Sequence, residues 1–345
     1  MKVVLSFFTC MLLALGINSE ACTRVMYKGK ENIVLTARSM DWKDDLFTNL
    51  WIFPRGMQRD GETGANTIRW ESKYGSVIAA AYDIASTDGM NEKGLVANLL
   101  WLVESQYPKW DKQKPGLVIS LWAQYVLDNF ATVAETVAAL EKEPFVLVSA
   151  NVPGKPDLFT TLHMSISDAS GDNAIFEYIN GKLVIHHDKS YQTMTNSPLF
   201  DQQLALNEYW KQIGGTVMLP GTNRAADRFA RASFYTHAIP ITDNIRIATA
   251  ATFSVIRNCS VPYGISTPGQ PNISSTIWRV VADQRDLVYF FESVLTPNVF
   301  WVPLRDIDFS KGAPVKMLKL TEGQTYAGNA VKAFKNSAPF KFEGV

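Results

Sequence analysis

Cys22 is the residue in this sequence best placed to do chemistry, because of what precedes it. Lys2 supplies a positive charge, and Val3 to Leu15 is apolar apart from Ser6 and Thr9. Gly16-Ile17-Asn18 loosens the run, and Ser19-Glu20-Ala21 puts small residues at the first and third positions of the triplet. This is the pattern of a secretory leader, residues 1–21, cut after Ala21. A buried N-terminal helix is the plainer alternative. The run is too short to span a bilayer comfortably. Cutting after Ala21 makes Cys22 the first residue, with a thiol and an α-amine on one side of the same backbone. An α-amine has an ordinary pKa of about 7.7–8.0 and a thiol about 8.5. The amine can therefore take the thiol proton, directly or through one water, and create a thiolate able to attack a carbonyl.

Self-sufficiency matters because other bases are scarce. There are only 4 His in the chain. His186 and His187 are neighbours in a strand-like run and point to opposite faces. His163 sits in another such run and His237 ends a helical one. Nothing accompanies them at the spacing of a metal site or a triad, so they read as core or surface histidines, and no metal or other cofactor is expected. Cleavage also removes Cys10, leaving Cys259 as the one other thiol. If Cys22 must stay free, Cys259 reads as a small buried apolar residue rather than a disulfide partner.

Several short motifs follow in order. Cys22-Thr23-Arg24 precedes Thr36-Ala37-Arg38-Ser39-Met40-Asp41-Trp42. Asn91-Glu92-Lys93-Gly94-Leu95, Met194-Thr195-Asn196-Ser197-Pro198 and Leu219-Pro220-Gly221 with Asp227-Arg228-Phe229 come after. Each alone has a bland reading. Arg38 and Asp41 could be a surface ion pair, Asn196 a turn residue before Ser-Pro, and Arg224, Arg228 and Arg231 a solvated helix face. As an ordered set spanning the chain after Ala21, they resemble the choloylglycine hydrolase family, the N-terminal-nucleophile amidases that include bile-salt hydrolases and penicillin V acylases.

The resemblance implies roles. Cys22 is nucleophile and, through its amine, base. Arg38 lies beside the thiol and favours thiolate. Asp41 hydrogen-bonds the α-amine. Asn196 donates its amide to the oxyanion, and Arg228 completes the polar cluster. Counting from Asn91-Glu92-Lys93, the first oxyanion position falls on Trp101, where bile-salt hydrolases typically have Asn and penicillin V acylases often have an aromatic residue. Only the backbone N–H of Trp101 can then serve the oxyanion, and its indole becomes pocket wall beside Trp42. Phenoxyacetyl groups stack well on such surfaces. The expected reaction is hydrolysis of a linear carbon–nitrogen amide of the penicillin V type, with N-acyl homoserine lactones as further substrates and conjugated bile salts as the alternative. The segment from Asn196 to Arg228 is shorter than in Gram-positive members, whose inserted loop builds tetramers. A homo-oligomer, tetramer or dimer, is the expected assembly.

These residues need a scaffold. Val34–Ala37, Leu50–Phe53, Val77–Tyr82 and Leu95–Leu102 read as strands. Pro115 opens a helical run from Gly116 to about Phe130, followed by a helix over Val133–Leu140. Leu162–Ser167, Ala174–Tyr178 and Leu183–His187 form a meander with turns at Ser170–Asn173 and Asn180-Gly181. Thr193–Asn196 ends a strand, Phe200–Ile213 is a helix stopped by Gly214-Gly215, and Arg224–His237 is another. Thr276–Val281, Leu287–Val294 and Val299–Val302 are late strands. No repeat or linker divides the chain, so residues 22–345 read as one α+β domain. It is a four-layer αββα sandwich with two mainly antiparallel sheets between helical layers.

Composition excludes some functions. Lys+Arg and Asp+Glu number 33 each, so no basic field exists to hold nucleic acid. Hydrophobic residues at 47% and charged ones at 19% describe a globular chain, and no run after the leader could enter a membrane stably. The leader implies export to the periplasm or beyond. A rival reading makes Cys22 a lipid-anchored cysteine on a membrane-tethered binding protein, but Ser-Glu-Ala lacks the Leu expected ahead of such a site. A silent family member that binds an acyl amide without turning it over is the third reading.

Overall fold

The computed structural model describes residues 21–266 and 274–345; the expected leader, apart from Ala21, lies outside the described residues. Two sheets stack face to face. The seven-stranded sheet runs Thr193–Thr195, Thr23–Lys28, Val34–Trp42, Ser275–Asp283, Val288–Ser293, Val299–Pro303, Gly328–Asn329. Its pairings are antiparallel except for the last, which is parallel. The nine-stranded sheet runs Lys182–His187, Asn173–Ile179, Leu162–Ser167, Val96–Trp101, Ala85–Asn91, Ser76–Ala81, Leu50–Phe53, Lys316–Leu318, Lys335–Asn336. Helices α1 (Trp122–Asn129) and α2 (Val133–Leu140) cover the nine-stranded sheet. Helices α3 (Phe200–Ile213), α4 (Ala225–Ala238) and α5 (Ile245–Asn258) form the other helical layer, with α4 and α5 packed on the seven-stranded sheet and α3 on α4.

Four layers need three cores. Met40, Trp42, Trp278 and Val280 meet Leu50, Val77 and Leu100 between the sheets. Trp122, Val126 and Leu127 pack on the outer face of the nine-stranded sheet, and Phe253, Ile256 and Ala232 on that of the seven-stranded one. The strand Val34–Trp42 is buried along its whole length, as a central strand covered on both faces must be. That burial explains why Ser39, Asp41 and Arg38 are interior rather than surface groups.

The αββα expectation holds, with local differences. The helical run from Gly116 is shorter than its apolar pattern suggests. Gly116–Val118 is extended and pairs in parallel with Val146–Val148, Ile119–Leu121 is a 3₁₀ turn, and α1 begins only at Trp122. Gly116 donates to Asn66 and accepts from Ile68, so long-range pairing captures the backbone that Pro115 was expected to start as helix. Helix α5 is hidden in the sequence by its Ile, Thr and Val content, which lowers helix propensity. Its Asn244 cap, accepting from the Arg246 and Ile247 nitrogens, and its buried Ala248, Thr252 and Ile256 supply what propensity lacks.

Candidate active site

Strand register brings the chemistry to one end of the sandwich. Thr23 pairs with Thr195 on one side and Ser39 on the other, so Cys22 and Asn196 sit opposite each other one step beyond the pairing. Trp42 ends its strand at the same edge, and Trp101 ends Val96–Trp101 in the facing sheet. Arg38, Met40 and Trp42 alternate onto the face between the sheets and line a cavity with Cys22.

The Cys22 thiol is 3.6 Å from Arg38 Nη2 and 3.5 Å from the Asp41 backbone nitrogen. Arg38 Nη2 also donates to Leu99 O at 2.9 Å, and its guanidinium lies 4.7 Å from the centre of the Trp278 ring. Burial pushes the thiol above its usual range, while the Arg38 and Arg228 cations pull it back and the Asp41 carboxylate adds to the rise. Asp41 is pushed up to about 6 by burial, against the pull of Arg228, a Thr276 hydroxyl and Arg38. Thr276 Oγ1 donates to Asp41 Oδ1 at 2.5 Å and Ser39 Oγ to Oδ2 at 3.4 Å.

The Cys22 nitrogen differs from expectation. Its hydrogen bond goes to Asn196 Oδ1, not to Asp41. In the full-length chain this nitrogen is the amide of the Ala21–Cys22 peptide and has a single hydrogen, which the register delivers to Asn196. Arg228 reaches the same oxygen through Nη2 at 2.9 Å and holds Cys22 O and Thr23 Oγ1 through Nη1. Asn196 Nδ2 donates to Trp101 O at 2.8 Å, so the contact seen at Trp101 is made by its carbonyl. All five expected polar residues are thus brought together, and all are buried.

Trp42 and Trp101 are side by side, ring centres 5.2 Å apart at 51°. They wall a narrow cavity of about 120 Å³ whose other sides include Leu46, Tyr82, Val152 and Leu162. Loop 43–49 and the hairpin 151–159 approach over it, and Lys155 pairs with Asp44 between them. Sequence reasoning missed Tyr82, which sits in a left-handed turn with Asp83 at φ 54 and 51 and projects into the cavity wall. No motif marks it.

Two motifs prove to be supports. Asn91 donates to Leu127 O and Phe130 O at 2.9 and 2.8 Å, and Gly94 turns at φ 81, so Asn91–Leu95 aims the strand that ends in Trp101. Arg231 donates to Pro220 O and Thr222 O, tying Leu219-Pro220-Gly221 to the start of α4 and hence to Arg228. The histidines lie elsewhere. His163 and His186 flank Glu177, His187 faces Asp172, and His237 contacts Ser233 O. Cys259 is a free thiol, fully buried against Arg228 O, and burial lifts it to about 11. No cluster of three or more metal-ligating side chains occurs among the described residues, nor any helix long and apolar enough to cross a membrane.

Residues 22–317 match the linear amide C–N hydrolases of the choloylglycine hydrolase family. The chain is 54% identical over 353 residues to a penicillin V acylase of Pectobacterium atrosepticum, covering 95% of this chain and 93% of that protein. It is 29% identical over 271 residues to a bile salt hydrolase/transferase of Clostridium perfringens, covering 70% and 80%. The structure of penicillin V acylase from Agrobacterium tumefaciens superposes with a TM-score of 0.88 at 62% identity, over 94% of this chain and 100% of that one.

Proposed function

The chain belongs to the choloylglycine hydrolase family of linear amide C–N hydrolases, and on that premise we propose that it is a penicillin V acylase-type enzyme whose nucleophile is Cys22. One observation carries the reading. Arg38 and the Asp41 backbone converge on the Cys22 thiol while Asn196 holds the nitrogen of the same residue, at the mouth of a cavity walled by Trp42 and Trp101.

As an amide, the Cys22 nitrogen has a delocalised lone pair and is no base. Removal of residues 1–21 frees it as an amine, which takes the thiol proton. The thiolate attacks the acyl carbonyl. The oxyanion is met by the second hydrogen of Asn196 Nδ2, the first being held by Trp101 O. The α-amine returns its proton to the departing amine, and water clears the thioester. Arg228 keeps Asn196 Oδ1 and Cys22 O in register throughout. The leader thus serves both as an address for export to the periplasm or beyond and as a block on the base.

The cavity supports an aromatic acyl group over a steroid. At about 120 Å³ it is well below the roughly 300–1,000 Å³ of sites for larger ligands, and two indoles line it. The same reading includes self-association as a dimer or tetramer, supported by exposed Leu206, Tyr209, Val217 and Met218 on α3 and the loop after it.

The test compares specificity constants for phenoxyacetyl amides, N-acyl homoserine lactones and glycocholate, with the intact mass of the active protein. Phenoxyacetyl amides are expected to be preferred, the mass to begin at an unmodified Cys22, and Cys22→Ser to lose at least about a thousandfold in kcat. A preference for glycocholate overturns the substrate assignment. Full activity in Cys22→Ser, or in protein still extended ahead of Cys22, overturns the mechanism.

A further inference from the structure

Arg38 reaches a thiol and a carboxylate from its two terminal nitrogens. Nη2 faces Cys22, and Nη1 lies 3.7 Å from Asp88 Oδ2. Asp88 belongs to the facing sheet, in strand Ala85–Asn91, so this contact crosses the core between the sheets. Each of its carboxylate oxygens accepts one further hydrogen bond: Tyr289 Oη donates to Oδ1 at 2.6 Å and Asn98 Nδ2 to Oδ2 at 2.7 Å. Arg38, Asp88, Asn98 and Tyr289 are all buried. A guanidinium cannot shed its charge, so a buried one needs a counterion in every state of the enzyme. Before proton transfer the Cys22 thiol is neutral and cannot be that counterion.

We propose that Asp88 is a positioning residue that sets how strongly the charge of Arg38 acts on the Cys22 thiol. Its charge attracts Nη1 across 3.7 Å, which keeps Nη2 beside sulfur, and it neutralises part of the guanidinium. The inference rests on the reading of Cys22 as nucleophile. Without Asp88 the thiol would face the full field of Arg38, together with Arg228 and against Asp41 alone. Asp88 itself faces Arg38 from one sheet and Tyr289 from the same sheet, with Asn98 from its own. An overstabilised thiolate forms readily but attacks poorly, because nucleophilicity falls with basicity. Shared between Asp88 and Cys22, Arg38 can lean toward sulfur as the thiolate appears and back as the thioester forms.

The experiment uses the processed enzyme and iodoacetamide. The alkylation rate of Cys22 is followed against pH by peptide mass spectrometry, which separates it from buried Cys259. In Asp88→Asn the midpoint is expected to fall by about one pH unit, and the plateau rate constant by about threefold. KM for a phenoxyacetyl amide is expected to stay within about twofold while kcat drops. Asp88→Glu, which keeps the charge, should restore the midpoint, and Asp88→Ser makes the same charge change if Asn is not tolerated. A midpoint that is unchanged or higher in a folded charge-removing variant overturns the proposal, even if stability and activity have dropped. Full turnover by enzyme alkylated at Cys22 would instead overturn the nucleophile assignment, and the midpoint shift would still judge Asp88.

Discussion

The Asn196 side chain joins three parts of the site. Its Oδ1 takes hydrogen bonds from the Cys22 nitrogen and Arg228, and its Nδ2 donates to Trp101 O. Removing it leaves the Arg228 guanidinium and the Trp101 carbonyl short of a partner and deletes the donor assigned to the oxyanion. Asn196→Ala is therefore expected to lower kcat by about 10²–10³ with a much smaller change in KM, measured by steady-state hydrolysis. Asn196→Asp keeps the size and the acceptor but loses the donor, so it should be nearly as slow. The residue types were legible in the sequence here through the ordered motifs that resemble the choloylglycine hydrolase family, since each motif alone reads as an ordinary ion pair, turn or helix face. Which atom meets which was not. The allocation of the Cys22 nitrogen to Asn196 rather than Asp41 follows from strand register, which no local pattern encodes.

Helix α3 begins four residues after Asn196 and has no side-chain cap from its own N-cap residue, Leu199. The capping role passes to Glu177 in the adjoining sheet, whose carboxylate accepts from the Phe200 nitrogen at 3.1 and 3.2 Å. His163 and His186 hold the same carboxylate at 3.1 and 3.3 Å. Burial raises its pKa, but the two imidazoles and the Phe200 N–H outweigh that and bring it down to about 2. A depressed carboxyl stabilises the fold above its unfolded pKa, and the contribution is lost as pH falls through the folded value. Glu177→Gln is expected to cost about 3 kcal/mol at pH 7. In denaturant titrations its deficit should shrink between about pH 4.5 and 2. An equal deficit at all pH values would show that the charge is not what Glu177 contributes. Gln203 adds to the anchorage by donating to Asn196 O and Ser197 O at 3.2 and 2.9 Å. Helix α3 itself was readable from its periodicity and its Gly214 stop, but its cap was not, since Glu177 comes from a strand more than twenty residues earlier.

At the scale of the molecule, the seven-stranded sheet supplies Cys22, Arg38, Asp41 and the strand before Asn196, and the nine-stranded sheet supplies Trp101 and Asp88. The site is thus a seam between layers, and Arg38 with Asp88 ties the seam from inside. On the outer helical layer, Leu206 and Tyr209, three residues apart on α3, and Val217 and Met218 after it are each exposed. Exposed large apolar side chains mark a contact surface where they adjoin. Sedimentation of the processed protein is expected to show a dimer or tetramer, and Val217→Asp with Met218→Asp to shift it toward monomer without loss of kcat. A monomeric wild type at micromolar concentration would remove that part of the reading.

The sequence by itself determined the chemistry on offer and the layered α+β architecture. A leader-like apolar run ahead of Cys22, the scarcity of histidine and five ordered motifs are local facts, and alternating or helical apolar periods are local too. Tertiary structure decided what depends on partners distant in the chain. It took Gly116–Val118 out of a helix by pairing it with Val146–Val148, built α5 from residues of weak helix propensity, gave the Cys22 nitrogen to Asn196, and set Asp88 behind Arg38. The physical reason is the same each time. A buried backbone or charged group must find a partner, and which partner lies within reach is fixed by the stacking and register of sheets, not by its neighbours in sequence.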